Sequence, residues 1–198
     1  MRRAPLAILA GVVTVLAAAG CGGGSSNSTS ASGSGSSATS GSATAAGSGS
    51  SATIAVTSDF KPGATISRAH TCDGRDVSPP LHATGLPSPT RELVVVMRDP
   101  DAPGGNFIHW GIANLKPARG SLSLPGGATP PGAVLGRNSF GSLGYRGPCP
   151  PSGAPHHYVI TVYALAQPSG LRKGFSAGDV EGLPVLDQGT LTGLYGRG

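Results

Sequence analysis

The sequence predicts a mainly β domain, a β-sandwich with long Pro- and Gly-rich loops and one or two short C-terminal helices. Three observations lead there. Segments of strand length, either alternating or continuously apolar, recur through the C-terminal three-quarters of the chain. Most of the 18 prolines fall between those segments, as expected of a residue excluded from central strands and helix interiors. Helical signals are confined to the C-terminal end.

The first strand is expected over Thr53–Thr57, where Ile54 and Val56 alternate with Thr53, Ala55 and Thr57. Leu93-Val94-Val95-Val96-Met97 is a continuous apolar run, fit for a strand buried on both faces. Phe107–Leu115 alternates, with Phe107, His109, Gly111 and Ala113 on one face and Ile108, Trp110, Ile112 and Asn114 on the other. Tyr158–Leu165 is rich in β-branched and aromatic residues. Gly120–Gly136 and Gly141–Pro155 are dense in Gly and Pro, and loops of that length in a compact domain are usually functional. Ser176 is a candidate N-cap with Asp179 in the first turn, and Pro184 and Gly189 interrupt whatever helix follows.

The folded domain is expected over residues 52–198, a comfortable size for one core. Residues 1–20 form a targeting segment: Arg2 and Arg3 precede an apolar stretch too short to span a bilayer comfortably. Its end, Leu16-Ala17-Ala18-Ala19-Gly20-Cys21, resembles the bacterial lipoprotein lipobox, with Ala18 where Leu is usual. That resemblance implies an acylated Cys21, export, and anchoring at the extracytoplasmic face of the cell membrane. An ordinary secretory signal, with Cys21 incidental, is the plainer alternative. Residues 21–51 are almost wholly Gly, Ser, Ala and Thr after Cys21, without charge or aromatic residues. Such a stretch buries too little apolar surface to offset its chain entropy, and a flexible tether is expected, with a reach of roughly 30 Å.

Without Arg2 and Arg3, 12 Lys and Arg face 9 Asp and Glu, a net charge of +3 spread without blocks. No basic stripe suggests nucleic acid as a partner. Cys72 and Cys149 remain once Cys21 is assigned to the lipid. An exported chain permits a disulfide between them, though a bridge needs an approach that the sequence does not fix.

Three segments carry the chemistry: Asp99-Pro100-Asp101-Ala102-Pro103 with His109-Trp110 beyond it; Tyr145-Arg146-Gly147-Pro148-Cys149-Pro150-Pro151 followed by His156-His157-Tyr158; and Thr71-Cys72-Asp73-Gly74 followed by Val77-Ser78-Pro79-Pro80-Leu81. With these motifs the chain resembles the phosphatidylethanolamine-binding protein family, in its bacterial YbhB/YbcL-like branch, from about Ile54 to Tyr195. The resemblance implies a sandwich of antiparallel sheets with a small cavity near one end. It implies that Asp99, His109, Gly147, Pro148, His156 and Tyr158 surround a phosphate or similar anion. Tyr195 is a candidate for the C-terminal tyrosine that closes some family pockets, and Arg146 for a cation at the rim. The Cys72 and Cys149 motifs converge in this family, which favours the bridge.

The residue types suit that task. Imidazole nitrogens and a phenol can donate hydrogen bonds to anion oxygens, and Asp99 can fix the tautomer of one imidazole. A carboxylate beside an anion is repulsive, so either the ligand is zwitterionic, as phosphoethanolamine is, or Asp99 is screened by a histidinium. Plainer roles are expected for the neighbours: Asp101 in a turn, Trp110 in the core, His157 solvated, and His70 and His82 outside every motif.

The favoured function is a membrane-tethered module that binds a small anionic or phosphorylated ligand, or a lipid headgroup, without a cofactor. Two other classes compete. One is an interaction protein that inhibits or regulates a protease or kinase. The other is a hydrolase using zinc on Asp99, His109 and His156, or Cys149 as nucleophile. No Gly-x-Ser-x-Gly, His-Glu-x-x-His or P-loop motif supports an enzyme.

Overall fold

The computed structural model describes residues 54–198; the expected signal segment, Cys21 and the expected tether lie outside them. In chain order the elements are β1 (Ala55–Thr57), a single 3-10 turn (Arg68–His70), β2 (Leu81–Thr84), β3 (Glu92–Asp99), β4 (Phe107–Leu115), β5 (Leu122–Leu124), β6 (Val134–Leu135), β7 (His156–Leu165), α1 (Ala177–Glu181) and β8 (Val185–Tyr195). The strands form a small sheet, β1-β2-β5, and a large one, β6-β4-β3-β7-β8. Every pairing within the sheets is antiparallel.

The main core lies between the sheets. Val56, Leu81, Ala83 and Leu124 from the small sheet meet Leu93, Val95, Met97, Ile160, Val162 and Leu191 from the large one. The other face of the large sheet is covered too. There Val94 and Val96 pack with Ala113, Leu165, Phe175 and Val180. The continuous apolar run in β3 thus has a partner on each side, and each buried aliphatic side chain contributes about 1.5–3 kcal/mol.

Two irregularities in β4 depart from simple alternation. Met97 pairs with Trp110 but Arg98 pairs with Ile108, which leaves His109 as an extra residue. Such a bulge turns two consecutive side chains toward the same face. Trp110 packs in the core with Tyr158, and the His109 ring also stands against Tyr158. The expected opposition of His109 and Trp110 is therefore corrected: both point inward. The second irregularity lies between the Leu93–Leu115 and Val95–Ile112 pairs, where Asn114 takes φ 57°. Glu92, buried beside it, accepts from the Asn114 amide (3.0 Å) and from the amide and hydroxyl of Ser169 (2.9 and 2.6 Å).

The C-terminal end carries one short helix, within the one or two expected. α1 is the one α-helix among the described residues, and it starts at the expected cap: the Asp179 amide donates to Ser176 Oγ, and the Ser176 amide to Asp179 Oδ2. The Ser176 amide, then its hydroxyl, hold the Asp179 carboxyl below its usual range. After Pro184 the chain becomes β8, the longest strand, instead of a second helix. Gly189 and Gly193 disguise it. A Cβ at Gly189 would lie 2.1 Å from the Ile54 carbonyl oxygen, and one at Gly193 would lie 2.6 Å from the Ile66 side chain. These glycines let the β1 region and the following loop close onto β8. Short strands β2, β5 and β6 also went unread, the last two inside the expected Gly120–Gly136 loop.

Candidate functional site

The ends of β3, β4 and β7 converge on a cavity of about 330 Å³, lined by Asp99, Ala102, Pro103, Phe107, His109, Phe140, Cys149, Pro150, Pro151, His156 and Tyr158. Asp99, the last residue of β3, is buried. Its Oδ1 accepts from the amides of Asp101 (2.9 Å) and Ala102 (3.0 Å), so it fastens the Pro-rich turn that follows. Its Oδ2 accepts from His156 Nδ1 at 2.8 Å. Asp99 thus takes both the turn role and the cavity role, and Asp101 does something else. Asp101 Oδ2 accepts from the His157 amide at 2.6 Å and pairs with its ring at 2.7 Å. Those contacts hold the Asp101 carboxyl below its usual range, the backbone bond contributing most. His156 and Tyr158 face the cavity from alternate positions of β7, while His157 points to solvent, as strand periodicity requires.

His109 is the most constrained member. Its Nδ1 lies 2.7 Å from the Arg146 carbonyl and 3.1 Å from the Gly147 carbonyl. Carbonyl oxygens only accept, so Nδ1 carries a proton. Aromatic neighbours hold the ring: between centroids, Tyr158 at 5.2 Å and Phe140 at 5.5 Å stand edge-on, and Phe107 at 5.3 Å is tilted against it. Burial, outweighing the carbonyls and the charges of Asp99 and Asp76, pulls the His109 pKa below its ordinary value. The ring is then neutral, and Nε2 offers a lone pair where the sequence suggested a donor.

Tyr158 completes the floor. Its hydroxyl is buried and has no hydrogen-bond partner. Burial first, then the nearby Asp99 charge and a poorly aligned contact with the same carboxylate, too loose to count as a hydrogen bond, push the phenol above its ordinary range, so it remains an O–H donor.

One wall of the cavity is the loop after β6, stitched to the segment 70–76. Tyr145 Oη donates to the His70 carbonyl at 2.6 Å, and the Cys72 amide donates to the Pro148 carbonyl at 3.1 Å. The Gly147 amide donates to Asp76 Oδ1 at 2.6 Å, and Arg146 Nε meets Asp76 Oδ2 at 3.2 Å. Cys72 and Cys149 are joined by a disulfide, with Cα atoms 5.4 Å apart. The Cys149 sulfur is therefore no free nucleophile. Among the described residues, no three His, Cys, Asp or Glu side chains are grouped to hold a metal ion.

Asp99, His109, His156 and Tyr158 thus line one cavity. Gly147 contributes through its carbonyl only, and Pro148 stands behind the wall. Arg146 reaches the rim indirectly, its guanidinium 5.5 Å from the centre of the Phe140 ring. Tyr195 is not among the residues that line the cavity; its hydroxyl donates to Asp73 Oδ2 at 2.7 Å. His70, outside every motif, is buried between Asp59 (2.8 Å) and the Val77 carbonyl (2.9 Å), a supporting place. Phe140 was missed, and its Gly-rich surroundings carried no signal for it. Phe107 was legible only as the residue two before His109. Asp76 was missed as well, although it sits inside the third motif.

Comparison with known proteins agrees with this architecture. A profile of the family described as phosphatidylethanolamine-binding protein matches residues 56–196. A UPF0098 protein of Methanothermobacter thermautotrophicus is 43% identical over 149 residues, covering 72% of this chain and 97% of the relative. LppC of Mycobacterium tuberculosis, whose name carries lipoprotein as a provisional designation, is 36% identical over 166 residues, covering 83% of this chain and 81% of the relative. The crystal structure of Escherichia coli YbcL, described as a new member of the mammalian PEBP family, superposes with a TM-score of 0.67 at 32% identity, covering 73% of this chain and 99% of that one. The chain belongs to the phosphatidylethanolamine-binding protein family. Its relatives span archaeal and bacterial members, and both the fold class and the family expected from the motifs hold.

Proposed function

We propose that the protein binds a small anionic or phosphorylated group, of the phosphoethanolamine-headgroup kind, in the cavity lined by Asp99, His109, His156 and Tyr158. The observation that carries this reading is the buried Tyr158 hydroxyl without a partner. An orphaned hydroxyl costs about 1–3 kcal/mol, a penalty that a ligand oxygen in the cavity would remove. The Asp99 charge by itself repels an anion, and its hydrogen bonds temper that repulsion. Both its oxygens already accept hydrogen bonds, from two amides and from His156, and the cavity volume suits a small headgroup.

Titration of residues 52–198 with O-phosphoethanolamine, phosphate and acetate, followed by amide NMR shifts, tests the reading. Saturable shifts centred on Asp99, His109 and Tyr158 are expected. Tyr158→Phe should weaken binding about 10- to 100-fold, since a hydrogen bond to a charged group contributes about 1.5–3 kcal/mol. The same variant should stabilise the empty protein by about 1 kcal/mol, because the orphan is gone. Absence of any saturable shift would sink the reading and favour a protein-partner role.

The second half of the proposal is a membrane tether through an acylated Cys21. The lipobox-like sequence and the name of LppC support it. The chain produced in a bacterial host should partition with membranes and carry fatty acid by mass spectrometry, and Cys21→Ala should release it. Equal release of both forms would reject the anchor.

A further inference from the structure

We infer that the cavity takes its anion together with one proton, held between His109 Nε2 and a ligand oxygen. The inference rests on the reading of the cavity as an anion site, and it specifies the form in which the anion is bound.

The geometry fixes which nitrogen faces the ligand. Two carbonyls occupy Nδ1, and neither is free to leave. The Arg146 amide donates to the His109 carbonyl at 2.9 Å, while Asp76 holds the Gly147 amide and Arg146 Nε. Behind Gly147 stands backbone: a Cβ there would lie 2.2 Å from the His70 carbonyl oxygen. Swapping the two nitrogens would turn an unprotonated position onto two carbonyl oxygens, a repulsive contact. Asp76 is thereby a positioning residue, acting on the ligand through the His109 tautomer.

Nε2 is the nitrogen left for a ligand, and no protein group meets it in the hydrogen bonds of the described residues. A bare imidazole nitrogen and a bare anion oxygen present lone pairs to each other. A proton between them converts that repulsion into a charge-assisted hydrogen bond. It arrives on an acidic ligand oxygen, or it is taken from solvent onto the ring. The count is the same: one proton enters with each anion. The groups facing His109 are Asp99 from β3, His156 and Tyr158 from β7, and Asp76 and Arg146 from the loops. In the empty cavity Asp99 and Asp76 favour a charged ring, and burial opposes it more strongly. An anion adds the missing negative charge.

Sulfate is a suitable probe because it stays unprotonated near neutral pH. A proton taken up on binding makes the association constant fall about tenfold between about pH 6.5 and pH 7.5. Calorimetry in two buffers of different ionisation enthalpy should read uptake of one proton per sulfate. Nitrogen-15 spectra should show His109 with only Nδ1 protonated in the free protein and both nitrogens protonated in the complex. Binding of phosphate with exclusion of sulfate would also support the inference, with the ligand supplying the proton. A flat sulfate profile, or a complex whose Nε2 stays bare, overturns the proton and leaves anion binding standing. Failure of sulfate, phosphate and O-phosphoethanolamine at both pH values overturns both.

Discussion

Replacing Cys72 and Cys149 together by alanine should lower the unfolding free energy by about 4.5 kcal/mol, the chain-entropy value for a bridge that closes a 77-residue separation. For a domain of this size the melting temperature should fall by about 10 °C, and a reducing agent added to the unmodified protein should reproduce most of that loss. The loop argument alone treats the bridge as a constraint on the unfolded chain. Here it has a native role as well, because Cys149 lines the cavity and Cys72 follows directly on the backbone that braces Gly147. Paired thermal melts with and without reductant give the measurement. A melting temperature unchanged to within about 3 °C would mean that the hydrogen bonds between segment 70–76 and the wall loop suffice without the covalent link.

Gly147→Ala should destabilise the domain by about 3 kcal/mol and weaken anion binding together, at the upper end of what overpacking costs. The added methyl would meet the His70 carbonyl oxygen at 2.2 Å and the Thr71 Cα at 2.8 Å. Both are backbone atoms, so no side-chain rotation relieves the contact. The loop must move instead, and the carbonyls of Arg146 and Gly147 move with it, away from His109 Nδ1. The disulfide two residues later resists that motion. The cost of Gly147→Ala should therefore be smaller in the alanine double variant, a coupling that urea unfolding of the four proteins in the cycle would measure. Strict additivity would show that the bridge and Gly147 act on independent parts of the wall.

The limits of the sequence are visible in particular residues. The run Leu93–Met97 declared a strand buried on both faces because nothing polar interrupted it, and both faces are covered. The Ser176 and Asp179 pair announced a helix start through purely local bonds. Asp99, His156 and Tyr158 were legible through the motifs that carry the family resemblance, and strand alternation separated His157 from the last two. The inward turn of His109 was not, since its bulge exists only in the pairing with β3. β8 was hidden for the same kind of reason: Gly189 and Gly193 look like interruptions until Ile54, Phe60 and Ile66 are packed against them.

By itself, then, the sequence determined whatever depends on neighbours along the chain: the strands with unbroken apolar or alternating pattern, the helix cap and the motifs that carry the family resemblance. The tertiary structure alone decided what depends on residues far apart in sequence. It brought Cys72 to Cys149, tied Tyr195 to Asp73 outside the cavity, and set Arg146 and Gly147 carbonyls on one nitrogen of His109. The physical reason is that hydrogen bonds and steric contacts act over a few ångströms of space. Only folding sets which distant groups fall within that range.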